Sequence, residues 1–214
     1  RQVLLTSEAG DVLAEKEVIH FSKMEAEGYT VSVDLENPRQ EIDGIGSSLT
    51  ESSAFVLASV SEEKRLSILN ELFGEEGANF PITRTHIGAC DFSVEGKYSY
   101  AETSGDTELK HFTLQRDREG FPKEQYPIIE DVTYDLLPLF KEVQEIKNKQ
   151  ADSEFRVVAS PWTAPAWMKD NNAYYGDGRG GSLLKENYPL FAEYFIRYFE
   201  EMKAEGIDIW GITP

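Results

Sequence analysis

An α/β fold built on a parallel sheet is predicted by three features of this 214-residue chain. From Glu41 onward, short apolar runs of strand type alternate with helical stripes, the rhythm of strand–helix–strand units rather than of hairpins. One run, residues 155–160, is continuously apolar after its start, as a strand buried on both faces should be. A hydrophobic content of 40%, with 12% aromatic residues, is enough at this length for a sizeable core.

The first forty residues read differently. Residues 3–6 and 29–35 are β-type runs separated by Gly10, Gly28 and the Asn37-Pro38 turn signal, and they are expected to form antiparallel strands outside the main repeat. The chain therefore divides into residues 1–40 and 41–214.

In the second part, residues 42–47 form a short strand candidate punctuated by glycine. Helical signals follow at 50–57 and 61–73, the second opened by Ser61 and striped by Leu66, Leu69 and Leu72; the two pieces can be one broken helix. Residues 80–87 are the second strand. The next helical stripe spans 131–148, with Val132, Leu136, Leu139, Phe140, Val143 and Ile146 on one face, and Pro138 inside it predicts a kink or boundary. The polar stretch 92–126 between them far exceeds an ordinary strand-to-helix connection, and a loop of that length on the C-terminal side of a parallel sheet usually serves function. After the strand at 155–160, residues 188–204 place Leu190, Phe191, Tyr194, Phe195, Tyr198, Phe199 and Met202 at helical spacing, a stripe expected to pack in the core, and Gly206 caps that helix. Residues 207–213 are a fourth strand.

Composition narrows the function. A formal net charge of −18 repels phosphate backbones and anionic membranes, so nucleic acid is not an expected partner. Cys90 is the only cysteine, which rules out an intrachain disulfide and suits a small buried residue. His20, His86 and His111 are too scattered for a metal site, and no metal is expected. There is no run of roughly 20 apolar residues, and the start at Arg1 shows neither an initiator Met nor a signal segment.

Chemistry is sought at the strand ends, where a side chain is held by the sheet and faces the open rim. Residues 43–50 (Asp-Gly-Ile-Gly-Ser-Ser-Leu-Thr) form a glycine-rich turn. On the second strand and just beyond it, Arg84 can hold an anionic group and Asp91 can accept hydrogen bonds from sugar hydroxyls, although an internal ion pair is equally open to them. His86 points to the same side as Arg84 and is either a ligand contact or a hydrogen-bonded core histidine. Residues 160–169 (Ser-Pro-Trp-Thr-Ala-Pro-Ala-Trp-Met-Lys) set Trp162 and Trp167 between prolines, as ring faces for a pyranose with an indole donor each or as core filler. Residues 176–181 are glycine-rich without the Lys-Ser/Thr ending of a phosphate loop.

These runs together resemble glycoside hydrolase family 30, the glucosylceramidase-like retaining β-glycosidases, over residues 40–214. The resemblance rests on Gly44-Ile45-Gly46 with residues 50–54, on 84–93 and on 159–167. Trp210-Gly211-Ile212-Thr213-Pro214 is similar to the run that leads into Gln-Asn-Glu in that family, so the acid/base and nucleophile glutamates are expected beyond Pro214 and the 214 residues alone are expected to be inactive. The family implies a (β/α)8 barrel whose first four β/α units this chain supplies, with residues 1–40 contributing to a side β-domain. It implies no cofactor, a β-glycoside substrate, a need for the remaining half of the barrel, and an extracytoplasmic setting, the compartment otherwise staying open. By resemblance Arg84 sits near the nucleophile, and Asp91 and Trp162 bind sugar hydroxyls, with His86 and Trp167 as further candidates. The expected activity is retaining hydrolysis of β-glucosidic bonds. Alternatives are a β-1,6-glucanase or β-xylosidase of the same family, or a non-catalytic carbohydrate-binding module.

Overall fold

A computed structural model describes residues 3–20, 22–23, 28–151, 154–176 and 181–213. The chain forms two compact units, Arg1–Glu41 and Ile42–Pro214. In the first, β1 (Val3–Leu5) pairs antiparallel with β2 (Ala14–Lys16). The intervening turn is closed by Ser7 and Asp11, whose carboxylate also takes the Lys16 ammonium at 2.7 Å. Residues 29–35, expected as a strand, make no ladder: Tyr29, Val31, Val33 and Leu35 are all exposed. Their β-type composition lacks a paired neighbour to supply cross-strand contacts.

The second unit is a four-stranded, all-parallel sheet in the order β3 (Ser47–Ser48), β4 (Ile82–Ile87), β5 (Arg156–Pro161), β6 (Ile209–Ile212). The first strand shares only Ser47 with the expected 42–47 and ends one residue beyond it. Pairing begins at Ser47 opposite Thr83, one residue into β4, and Pro81 just before that strand has no N–H with which to extend the ladder upstream. Gly46 is required for the approach itself, since a Cβ there would overlap the Ile82 carbonyl.

The helices follow their capping chemistry. Helix α1 (Glu51–Ala58) starts at a reciprocal box in which Thr50 Oγ1 accepts from Ser53 N–H and Ser53 Oγ accepts from Thr50 N–H. Helix α2 (Glu62–Phe73) is separate from it, capped by Ser61 with Glu62 and Glu63 in its first turn. A short helix α3 (Gln115–Glu119) lies within the long connection. Helix α4 (Leu136–Asn148) begins later than the stripe at 131 suggested, because Asp135 is its cap. Pro138 then falls in the first turn, where no intrahelical N–H is needed, and Val132 is left exposed outside the helix. Arg65 clamps α2 to α4 through Glu142 and Asp131 while lying over the Tyr134 ring. Helix α5 (Tyr188–Ala204) matches its expected span, and Gly206 follows in the left-handed region.

The long connection after β4 is not an open polar loop. Tyr98, Tyr100, Leu109, Phe112, Leu114 and Phe121 are buried, and they meet the aromatic stripe of α5. Tyr100 stacks on Tyr198 at 5.7 Å, Phe112 meets Tyr194 edge-on at 5.3 Å, and Tyr100 N–H donates to the Tyr194 hydroxyl.

Under this seam lie three buried carboxyls, Glu51, Asp117 and Asp135. Asp117 accepts from the hydroxyls of Tyr100 at 2.6 Å and Tyr98 at 3.4 Å. Burial outweighs those bonds and pushes its pKa up to about 7, while burial and the nearby Asp117 push Asp135 up to about 9. Both are harder to ionise folded than unfolded, so the folded state holds protons that the unfolded chain releases near pH 4. The stability they contribute is complete below about pH 4 and is lost as pH rises through about 7 for Asp117 and about 9 for Asp135. Asp117→Asn mimics the protonated carboxyl. Its Tm relative to wild type is expected to climb between pH 5 and pH 8 in scanning calorimetry; a difference that stays flat across that range contradicts the assignment.

Candidate functional site

The parallel register decides what meets at the rim. In the pairing of β4 with β5, Arg84 lies opposite Val158, His86 opposite Ser160 and Ile87 opposite Pro161, so the chain leaves both strands at the same edge. Trp162 follows immediately, exposed at 39%, and the Arg84 guanidinium lies over its ring at 4.6 Å. The expected internal ion pair is not formed: among the described residues Arg84 has no carboxylate partner, and its guanidinium is spent on the indole face. The same edge receives the residues after β6. Thr213 N–H donates to Ala159 carbonyl, Ser160 Oγ to Thr213 carbonyl, and Thr213 Oγ1 to Ser160 Oγ at 2.7 Å.

Asp91 is exposed and shares a hollow of about 430 Å³ with Trp162. Thr163, Lys169, Tyr174 and Tyr175 close its other sides. Arg84 belongs to a neighbouring hollow of about 410 Å³ over the sheet, beside Ser48 and Val158. Trp162 therefore joins the three expected groups, being backed by Arg84 and facing the space that Asp91 lines. An acceptor-only carboxylate beside an aromatic face is suited to a polyol with one apolar face.

Two further candidates have other duties. His86 is fully buried: Nε2 accepts the Glu51 N–H at 2.9 Å, so Nδ1 carries the proton and donates to the Gly88 carbonyl at 2.5 Å. Burial pushes its pKa down to about 4, leaving a neutral ring that satisfies an orphan N–H at the start of α1 and has no atom left for a ligand. Gly88 takes a positive φ of 76°, which lets its carbonyl turn back to that ring as the chain leaves β4. Trp167 sits in a single 3-10 turn, Ala166–Met168, and its indole N–H donates to the Ala101 carbonyl at 2.8 Å. It ties the β5 loop to the long connection instead of facing the hollow. Cys90 is buried beside Ser93.

Sequence reasoning passed over Lys169, Tyr174 and Tyr175. A lysine after a strand-end run reads as a solvated side chain, whereas this one is only 6% exposed and donates to Thr163 Oγ1 and the Tyr174 carbonyl. Within the glycine-rich stretch 176–181, residues 177–180 lie outside the described residues, as does Pro214. Among the described residues no group of three or more His, Cys, Asp or Glu side chains is placed to hold a metal ion.

Solved structures share this fold. SrfJ from Salmonella typhimurium aligns with a TM-score of 0.66 at 31% identity, over 81% of this chain and 34% of that one. The endo-beta1,6-glucanase BT3312 aligns with a TM-score of 0.66 at 28% identity, over 96% of this chain and 40% of that one. The lysosomal acid glucosylceramidase of Mus musculus is 25% identical over 190 residues, covering 87% of this chain. The chain spans about a third of the length of the curated relatives it matches, 33% in the mouse protein. Residues 42–214 match the model of the glycosyl hydrolase family 30 TIM-barrel domain. Parallel β/α units with an arginine-backed tryptophan and an aspartate at their C-terminal rim are thus the first part of that barrel, and the chain belongs to glycosyl hydrolase family 30.

Proposed function

We propose that the protein carrying this chain hydrolyses β-glucosidic bonds with retention of configuration, in the manner of a glucosylceramidase. The observation that carries the reading is the half-exposed Trp162 ring, stacked on Arg84 at its rim position and sharing its hollow with the Asp91 carboxylate. In this reading a glucosyl ring enters that hollow. Its hydroxyls donate to Asp91, its carbons lie against Trp162, and the indole N–H donates to a further hydroxyl. Arg84 holds Trp162 in place and lends positive potential toward the position of an attacking carboxylate.

The two glutamates of retaining chemistry, one attacking the anomeric carbon and one protonating the leaving oxygen, stand about 5 to 5.5 Å apart. They are expected from the barrel beyond Pro214, and Thr213, bonded to Ala159 and Ser160, brings the chain to the rim beside Trp162 for that purpose. In the same reading residues 1–40 belong to a side β-domain and residues 41–214 are the first half of the catalytic barrel. The mouse relative's name, a lysosomal acid glucosylceramidase, supports the lipid-linked glucoside as substrate class.

A second reading, an endo-β-1,6-glucanase, is favoured by the 96% coverage of this chain in its alignment with BT3312. Hydrolysis rates of the full-length protein on glucosylceramide micelles and on β-1,6-glucan separate the two: the proposed activity predicts the faster rate on the lipid, and faster release from the glucan selects the second.

Proton NMR of the first product from an aryl β-glucoside is expected to show the β-anomer ahead of mutarotation; an initial α-anomer rules out retention. Asp91→Asn keeps the shape and removes the charge on the acceptor. It is expected to lower kcat/KM by about tenfold to a hundredfold, the range of one charge-assisted hydrogen bond, with the Tm little changed. An unaltered kcat/KM removes Asp91 from the site.

A further inference from the structure

Lys169 is a buried cation that makes no ion pair among the described residues. Its ammonium donates instead to two neutral oxygens, Thr163 Oγ1 at 2.8 Å and the Tyr174 carbonyl at 3.1 Å. Burial pushes its pKa down, so the fold keeps this group against a desolvation penalty that a methionine of similar length would not incur. The two acceptors belong to two different segments that line the same hollow. Thr163 is the neighbour of Trp162, and Tyr174 is the neighbour of Tyr175, and all four line the space.

The Tyr174–Tyr175 arm is fixed at several other points. Asn171 Nδ2 donates to the Tyr175 carbonyl at 3.0 Å, and the Tyr174 hydroxyl donates to Glu102, whose carboxylate also accepts from the Ser99 N–H and hydroxyl. Asp170 accepts from the Gly181 and Ser182 amides and closes the base of the arm. Backbone and neighbour are thus held while the Tyr175 side chain stays 70% exposed, with no hydrogen bond of its own among the described residues. A loop anchored this thoroughly through its carbonyls, yet leaving one aromatic ring bare over a hollow, is arranged to present that ring.

We infer that Lys169 is a positioning residue: it sets the spacing between the Trp162 wall and the Tyr175 wall, so that Tyr175 provides a second aromatic contact to the glycoside lying on Trp162. This rests on the reading of the hollow as a sugar site. Lys169 itself touches protein oxygens, and its influence on substrate passes through Tyr175.

The test uses the full-length protein with Lys169→Met, Lys169→Arg, Tyr175→Ala and the Lys169→Met/Tyr175→Ala double variant. Hydrogen exchange of amides in residues 163–176 reads the positioning without substrate. Faster exchange in both the Thr163 and the Tyr174 segments of Lys169→Met, partly restored in Lys169→Arg, is expected; protection equal to wild type overturns the positioning role whatever the enzyme's activity. Kinetics on an aryl β-glucoside read the consequence. Lys169→Met and Tyr175→Ala are each expected to raise KM about tenfold with kcat changed less than about threefold, and the double variant to lose no more than the larger single loss, because both changes remove one contact. Additive losses, or a KM unmoved by Lys169→Met, overturn the link to Tyr175. Wild type that turns over no β-glycoside instead sinks the proposed function, while the exchange result still decides whether Lys169 holds the two walls.

Discussion

The parallel pairing of β4 with β5 is the constraint on which the rest of this structure depends. Parallel neighbours end at the same edge, so the segments leaving Ile87 and Pro161 emerge side by side. Arg84 comes to lie under the Trp162 ring, and the Asp91 carboxylate enters the same rim after one turn of chain. An antiparallel partner would have sent Trp162 to the opposite end of the sheet. No adjustment of side chains could then have assembled the group.

Pairing alone does not give a site its shape, because loops leaving a sheet edge are not fixed by the ladder. In this protein they are fixed by one another. The connection after β4 carries its own apolar residues and buries them against the aromatic face of α5. The loop after β5 is then tied to it twice, by the Trp167 indole on the Ala101 carbonyl and by the Tyr174 hydroxyl on Glu102. Segments distant in sequence are thereby held to one geometry around the Trp162 and Asp91 rim.

The buried carboxyls are the cost of this construction. Glu51 is drawn into the interior by its bond to the Val94 amide, and Asp117 by the Tyr98 and Tyr100 hydroxyls, so the long connection is stitched by acids rather than by apolar contact alone. Their raised pKa values follow from burial and from their mutual proximity. Their own contribution to stability is largest where those groups hold their protons.

The sequence by itself determined the alternation of strands and helices after residue 41, the span of α5, and the identity of the residues at the rim. Those properties are local: helical spacing, caps such as Ser61, and apolar runs long enough to be buried strands. Only the tertiary structure decided which rim residues face a common space. His86 and Trp167 carry the right chemistry, yet their polar atoms are consumed by Glu51, Gly88 and Ala101, partners between 2 and 66 positions away. Nothing in the local sequence marks Lys169 as buried, and residues 29–35 read as a strand although no neighbour among the described residues pairs with them. The physical reason is common to all four. Periodicity records what a segment prefers, whereas burial and hydrogen-bond satisfaction depend on which distant segment occupies the space beside it.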